Sequence, residues 1–187
     1  MTVSVSSTDL LAALRFCKAA LPKPTELRTM LQGIWLSVPG EHELRLEASD
    51  GACMARCTLD VPGLQPCAVT SVRRDNLAAV AARLTHGDAT VTLAELQARS
   101  QIDGPRPDFA RLFRTDRPKG VPTIGFDVKL LERAAKAALI VCPPKCHGVQ
   151  LSTWEGDAAA QMTVPTRGNK YKSMTQEAYF LIMPMRL

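Results

Sequence analysis

Three successive stretches of the sequence share one predicted order of a strand, a helix and further strands, at a spacing of about 60 residues. The first stretch runs from a predicted strand at residues 2–6 to one at 53–61. The second begins with a strand at residues 67–72, and the third with a strand at 124–126. The pattern predicts an α+β fold built from a repeated β-α-β-β-β unit.

The three predicted helices are marked by caps, prolines and composition. The first follows capping residues at 7–9 and ends before Pro22 and Pro24. The second covers residues 76–84. The third, at residues 128–141 after the capping residue Asp127, is the clearest because it is rich in Ala, Leu, Lys and Glu.

A polar connector separates the second and third units. Residues 114–120 concentrate Pro, Gly and charged side chains, which is typical of a domain boundary. The sequence therefore predicts one domain at residues 1–117 and a shorter half domain at 118–187.

Composition limits the class of protein. The chain has 46% apolar and 22% charged residues, so it can bury a core, and its net charge of +5 suits a polyanionic partner. No apolar stretch reaches the roughly 18 residues that a membrane span needs. The N-terminus has neither the basic region nor the apolar core of a signal peptide. We expect a cytoplasmic protein without membrane contact, whose six cysteines are thiols.

The cysteines do not have the pattern of a metal site. Cys53 and Cys57 lie on one predicted strand, where four residues span roughly 13 Å, too far for two ligands of a tetrahedral ion. The turn with Cys142, Cys146 and His147 supplies at most three ligands.

The sequence also has no glycine-rich phosphate loop and no nucleophile turn. We expect no cofactor, no metal and no enzymatic activity. A basic nucleic-acid-binding protein with a metal-stabilised turn at residues 142–147 is a weaker hypothesis.

The apolar run at residues 178–187 is unusual for a chain end, because ends are usually polar. Residues 179–183 read as a buried strand, which Pro184 ends by removing a backbone donor. One interpretation is a last core strand with a short tail. The other is that Met183, Pro184 and Met185 line an apolar groove for a partner peptide, since methionine adapts to different ligands.

Four segments carry a family resemblance. Residues 27–34 resemble the entry to the first strand after a helix, and 46–51 resemble an "ATDGHR" turn. Residues 102–112 look like a "DGRFPDYRRV" segment, and the third unit with residues 179–187 looks like a last domain. In this order the segments resemble the bacterial DNA polymerase III beta subunit, the sliding clamp. The resemblance implies repeated β-α-β-β-β units with helices on one face of antiparallel sheets.

The resemblance also implies a peptide-binding pocket for DNA polymerase and clamp-loader-type proteins, which would dock through short peptide motifs. The alternative for Leu31, Leu112 and Leu181 is plain core packing. Carried over residue by residue, the pocket falls on Leu31, Ser49, Gly51, Pro107, Arg111, Leu112, Leu181, Ile182, Met183, Pro184, Met185, Arg186 and Leu187.

A clamp encircles double-stranded DNA without reading its sequence, so it needs cations on its inward helices. All three predicted helices carry cations, although an ordinary solvated helix face would look similar. If a ring of twelve helices is required, about four copies of this three-helix chain would form it as a homo-oligomer. The predicted DNA-contacting residues are Arg15, Lys18, Arg73, Arg74, Arg83, Lys129, Arg133 and Lys136.

One departure from the family pattern bears on the pocket. Ala52-Cys53-Met54 stands where the family has His-Arg-Leu, which removes a cation and a ring. The resemblance favours a small sliding-clamp-like processivity factor. The alternative function is a clamp-like binding module that forms no ring and competes for clamp-binding peptides.

Overall fold

The computed structural model describes residues 4–86, 90–92, 102, 104–113, 124–143, 148–154, 159–166, 174 and 177–184. Within these residues the first unit has the predicted order of strand, helix and three strands. The strand predicted at residues 124–126 is wrong, because that segment has only an isolated bridge residue, Gly125, and the third unit begins with its helix. In chain order the regular elements are β1 (Ser4–Ser6), α1 (Ser7–Lys18), β2 (Gly33–Gly40), β3 (Glu43–Ser49), β4 (Cys53–Asp60), β5 (Cys67–Arg73), α2 (Leu77–His86), β6 (Thr90–Thr92), α3 (Val128–Val141), β7 (Gln150–Ser152), β8 (Ala160–Pro165) and β9 (Glu177–Ile182).

Helix α1 begins earlier than predicted. Its N-cap is Ser6, whose Oγ accepts a hydrogen bond from the Asp9 amide at 3.4 Å. Ser7 is therefore the first helical residue and is buried, whereas the sequence placed residues 7–9 in the cap. Two consecutive serines offer the same hydroxyl acceptor, so the sequence alone does not choose between them.

Seven strands form one antiparallel sheet in the order β5-β2-β3-β4-β9-β8-β7, and β1 pairs with β6 separately. Side chains alternate between its faces, as strand geometry requires. On β3, Leu44, Leu46 and Ala48 point to the face that the helices cover, and on β9 Phe180 and Ile182 do the same. The α+β fold class predicted from the repeat is confirmed.

The helices lie side by side on that face, with α1 between α2 and α3. Leu10 and Phe16 of α1 are fully buried against the sheet. The Phe16 ring meets Phe180 of β9 edge to face, with 6.2 Å between ring centroids. Because α1 contacts helices on both flanks, it joins the first unit to the second and the third.

The opposite face of the sheet carries a second, smaller core. Its buried members are Trp35, Met54, Ile102, Phe109 and Leu181. The sheet runs without a break from β4 to β9, so strands from both predicted domains share it. The division at residue 117 stays a prediction.

None of the helices in the described part of the chain is long and apolar enough to cross a membrane.

Candidate functional site

An apolar groove of about 320 Å³ opens on the face of the sheet opposite the helices. Its floor is formed by neighbouring strands, because Met54 of β4 lies directly opposite Leu181 of β9. Residues from the first unit, the segment at 104–113 and the C-terminal strand meet there. Of the predicted pocket residues, those lining the groove are Leu31, Ser49, Gly51, Pro107, Leu112, Leu181 and Met183.

Other predicted pocket residues lie elsewhere. Ile182 is fully buried in the helix-facing core, because it follows Leu181 on a strand and must point to the opposite face. Arg111 is an exposed side chain beside the groove, with its Nε 3.9 Å from Asp108 Oδ2. Pro184 is half-buried and does not line the groove. Residues 185–187 lie outside the described residues.

The structure adds residues that the resemblance did not supply. Met30, Met54, Phe109 and Ala159 line the groove, so its walls are more apolar than predicted. Met54 could have been found from strand alternation alone, since it neighbours buried Cys53 and must face the other way. Ala159 could not be found in this way. It lies immediately before β8, more than 100 positions after Met54 in the sequence.

A tight turn after β3 forms one rim of the groove. Asp50 Oδ1 accepts hydrogen bonds from the amides of Ala52 and Cys53, both at 2.8 Å. Ser49 Oγ donates to the Cys53 carbonyl at 2.7 Å and accepts from the Gly51 amide at 3.0 Å. Gly51 has a φ of +89°, which favours glycine. The hydroxyl of Ser49 therefore shapes the rim through hydrogen bonds to backbone groups of the turn.

Arg28 lies over this rim. Its Nη2 donates to the Asp50 carbonyl at 3.2 Å, and a Cβ on Gly51 would lie 2.9 Å from its Nη1. Glu26 accepts two further hydrogen bonds from the same guanidinium, at 2.9 and 3.0 Å. These hydrogen bonds lower the pKa of Glu26 to about 2. The mouth of an apolar groove thus carries an oriented, half-exposed cation.

The segment opposite the rim is held by a buried ionic cluster. Glu47 of β3 is fully buried and accepts hydrogen bonds from Arg56 at 2.6 and 2.8 Å, and also from Arg106. The Arg56 guanidinium lies 3.4 Å from the centroid of the Phe113 ring. Burial lowers the pKa of Arg56, although Glu47 opposes this effect. Residues 106–113 are thereby fixed as a wall of the groove.

The helix layer carries exposed cations. Arg15 and Lys18 are the exposed basic residues of α1, and Lys129 and Lys136 are exposed on α3. Lys136 Nζ lies 2.7 Å from Glu132 Oε1 one turn earlier. Three other predicted cations belong to the second unit. Arg73 is the last residue of β5, Arg74 follows it, and Arg83 lies on α2.

Two of the predicted cations donate hydrogen bonds to backbone carbonyls of segments that are distant in sequence. Arg133 donates from Nε to the Ala19 carbonyl at 2.9 Å and from Nη1 to Asp50 Oδ2 at 2.6 Å. Arg74 donates to the Pro22 carbonyl. Both guanidinium groups join parts of the chain that are distant in sequence, so the predicted stripe of three cations on α3 has two exposed members.

The cysteines that are described behave as small apolar residues. Cys53 and Cys57 are both buried in the helix-facing core, and burial raises the pKa of each thiol to about 12. No group of three or more His, Cys, Asp or Glu side chains in the described ranges is arranged to hold a metal ion. Cys146 and His147 lie outside those ranges.

Comparison with known proteins identifies the fold. No protein-family model matches the sequence, and no curated protein matches it. Among solved structures, the beta sliding clamp of Caulobacter crescentus is similar over 100% of this chain, with a TM-score of 0.78 and 17% identity. The DNA polymerase III beta subunit of Thermotoga maritima is similar over the same share, with a TM-score of 0.73 and 14% identity. The clamp of Pseudomonas aeruginosa bound to griselimycin gives a TM-score of 0.60 and 18% identity.

These matches cover 65% of the Caulobacter chain and 66% of each of the other two. At such low identity, the likeness shows the fold alone. The helices on one face of a continuous antiparallel sheet, with the full coverage of this chain, show that the protein has the fold of the bacterial beta sliding clamp, over about 65% of that chain's length.

Proposed function

We propose that this protein is a sliding-clamp-like processivity factor for DNA replication. It would encircle duplex DNA as a homo-oligomeric ring and tether DNA polymerase or clamp-loader-type proteins through the groove. The observation that carries the proposal is the groove itself. Leu31, Phe109 and Leu181 bring three separate parts of the chain to one apolar groove. Its volume of about 320 Å³ is enough for a few side chains of a peptide.

The chemistry of the groove defines the partner. Met30, Met54 and Met183 provide flexible thioether walls, which adapt to apolar anchors of different shapes. Arg28 at the rim favours a carboxylate near the apolar anchor, because its guanidinium is already oriented by Glu26. The preferred ligand is a short segment with one or two large apolar side chains and an adjacent acidic group.

Griselimycin is a practical probe of this groove, since the Pseudomonas aeruginosa clamp binds it. Isothermal titration should give a saturable complex with the full chain. Leu31→Arg, at the groove, should weaken binding at least about 30-fold, since it places a charge against an apolar ligand. Leu27→Arg is the matched control, because Leu27 is 92% exposed and does not line the groove. Equal affinity in the two variants would contradict the groove as the site where griselimycin binds.

The exposed cations of the helix layer support the DNA part of the proposal. Arg15, Lys129 and Lys136 can contact phosphates without reading bases, as a sliding protein requires. The protein should remain on a closed circular plasmid in high salt and leave when the plasmid is linearised. Lys129→Glu with Lys136→Glu should abolish this retention while leaving griselimycin affinity unchanged.

The second candidate is a clamp-like binding module without a ring. The internal contacts of Arg133 and Arg74 favour it, because they leave fewer cations available to DNA. Under this candidate the groove binds its ligand, but circular and linear DNA release the protein equally. The plasmid experiment therefore separates the two functions with the same preparation of protein.

A further inference from the structure

One flank of α3 presents apolar side chains to solvent. Val128 is 74% exposed and Leu139 is 62% exposed, with exposed Ala135 between them. These positions are seven and four residues apart, so they form one stripe along the helix. The other flank of α3, which includes Ala134 and Val141, is buried. A helix with an apolar stripe on its solvent side is incompletely packed.

The sheet continues under this open flank. Leu151 of β7 lies directly opposite Met162 of β8, so both side chains share the face that the helices cover. Met162 is 6% exposed, but Leu151 is 45% exposed because no described helix covers it. β7 is also the last strand of the sheet in the described part of the chain. The result is an apolar step formed by Leu151, Leu139, Ala135 and Val128, which we call the α3 step.

The first unit shows what normally covers such a surface. The N-caps Ser6 and Asp127 align α1 with α3, so that Ser7 corresponds to Val128 and Leu14 to Ala135. Ser7 is 5% exposed and Leu14 is 4% exposed, whereas Lys18, which corresponds to Leu139, is exposed. Helix α1 has a helix on each flank, whereas α1 is the only helix that packs beside α3 among the described elements. The α3 step therefore has the shape and polarity to receive another helix.

The pairing of the first two units indicates which helix. β2 of the first unit pairs with β5 of the second, and β1 of the first pairs with β6 of the second. Helices α1 and α2 contact each other across the same junction. This exchange is reciprocal, so two copies of one kind of unit complete each other about an approximate two-fold axis. The third unit has no such mate in the described residues.

We propose that a second copy of this chain covers the α3 step, with the two α3 helices antiparallel about a two-fold axis. Each α3 then lies over Leu151 of the other copy. Antiparallel packing brings Val128 against Leu139 of the second copy, and small Ala135 near the axis lets the helices approach closely. It also places Glu132 within reach of Lys136 of the second copy, which is favourable in charge.

This inference deepens the proposed ring, because it names one of its joints. A two-fold joint agrees with an even number of copies. The joint and the ring can still fail separately. A two-fold assembly that is not retained on circular DNA would contradict the ring but not the joint. A ring built through other surfaces would contradict the joint but not the ring.

Sedimentation equilibrium of the full chain tests the joint at about 50 µM protein. The wild type should be a dimer or a tetramer, and Leu139→Glu should reduce its mass to half or less. The dissociation constant of the association through the α3 step should rise at least about 100-fold. Leu27→Glu changes a leucine that is still more exposed and lies away from the α3 step, and it should keep the wild-type mass. A monomeric wild type, unaltered association of Leu139→Glu, or equal loss in both variants would each overturn the proposal.

Cross-linking checks the geometry independently of folding. Ala135→Cys should give a covalent dimer with a short bis-maleimide reagent in high yield. Leu27→Cys and the wild type, which controls for the native cysteines, should not. Cross-linking of Ala135→Cys at no more than the wild-type yield would contradict the antiparallel contact between the α3 helices.

Discussion

Arg133 of α3 donates a 2.6 Å hydrogen bond from Nη1 to Oδ2 of Asp50, in the turn that forms the rim of the groove. The two residues are 83 positions apart in sequence, and they belong to the third and first units. The other Asp50 oxygen holds the turn itself through the amides of Ala52 and Cys53. One carboxylate thus links the position of α3 to the shape of the groove.

Arg133→Met should therefore destabilise the fold. The side chains of Arg133 and Asp50 are 32% and 12% exposed, so removing the cation leaves a largely buried carboxylate without its partner. We expect a loss of about 2–3 kcal/mol in the free energy of unfolding. Urea denaturation measures it. Lys129→Met, on the same helix but exposed, should change the free energy by less than about 0.5 kcal/mol.

The same pair predicts a dependence on pH. Burial raises the pKa of Asp50, but hydrogen bonds from Arg133, Cys53 and Ala52 outweigh it and hold the pKa below its ordinary value of 3.8. A carboxyl with a lowered pKa stabilises the fold above its unfolded pKa and loses that contribution as the pH falls. The stability difference between wild type and Arg133→Met should be constant from about pH 7 to 5 and shrink below about pH 4. An unchanged difference at pH 3.5 would contradict this assignment.

Local sequence signals predicted local structure well. Asp127 was predicted to cap α3, and its carboxylate accepts a hydrogen bond from the Lys129 amide at 2.7 Å. The strand at β9 followed from its apolar residues and from Pro184. The resemblance in fold to the beta sliding clamp is confirmed over the whole chain. These predictions succeeded because caps, prolines and periodicity act within a few residues.

The residues of the groove were harder to predict because they depend on long-range packing. Leu181 and Ile182 were placed together in the pocket, although neighbours on a strand point to opposite faces. Arg133 was placed among the exposed cations, since its carbonyl and carboxylate partners lie more than 80 positions away. Sequence periodicity identifies one side of a helix, but it does not show which flank a neighbouring helix will cover.

The buried ionic cluster gives a third prediction. Glu47→Ala leaves Arg56 and Arg106 facing a cavity without an anion, and we expect a loss of about 3–5 kcal/mol in the free energy of unfolding. Guanidinium denaturation measures it. The control is Glu43→Ala, since Glu43 pairs with Arg45 on the same strand but is partly exposed. That surface pair contributes about 0–1 kcal/mol. Similar losses in the two variants would mean that burial of Glu47 is unimportant.

The rim of the groove can be tested with a pair of glycine variants. Gly51 and Gly63 have φ values of +89° and +80°, so alanine at either position should cost about 1–2 kcal/mol in backbone strain. Only Gly51 has a close neighbour, since its Cβ would meet Nη1 of Arg28 at 2.9 Å, whereas nothing lies within 4 Å at Gly63. Arg28 is half-exposed and can move, so the two variants should lose similar stability.

Binding should separate the same two variants. Displacing Arg28 removes the oriented cation at the rim, so Gly51→Ala should weaken an acidic apolar peptide about 5- to 20-fold, and Gly63→Ala should bind as the wild type does. Fluorescence anisotropy with one labelled peptide, with and without its acidic residue, measures both effects. For the peptide without the acid, wild type and Gly51→Ala should bind equally. If Gly51→Ala weakens both peptides alike, the alanine acts by distorting the rim, and Arg28 does not select the ligand by charge.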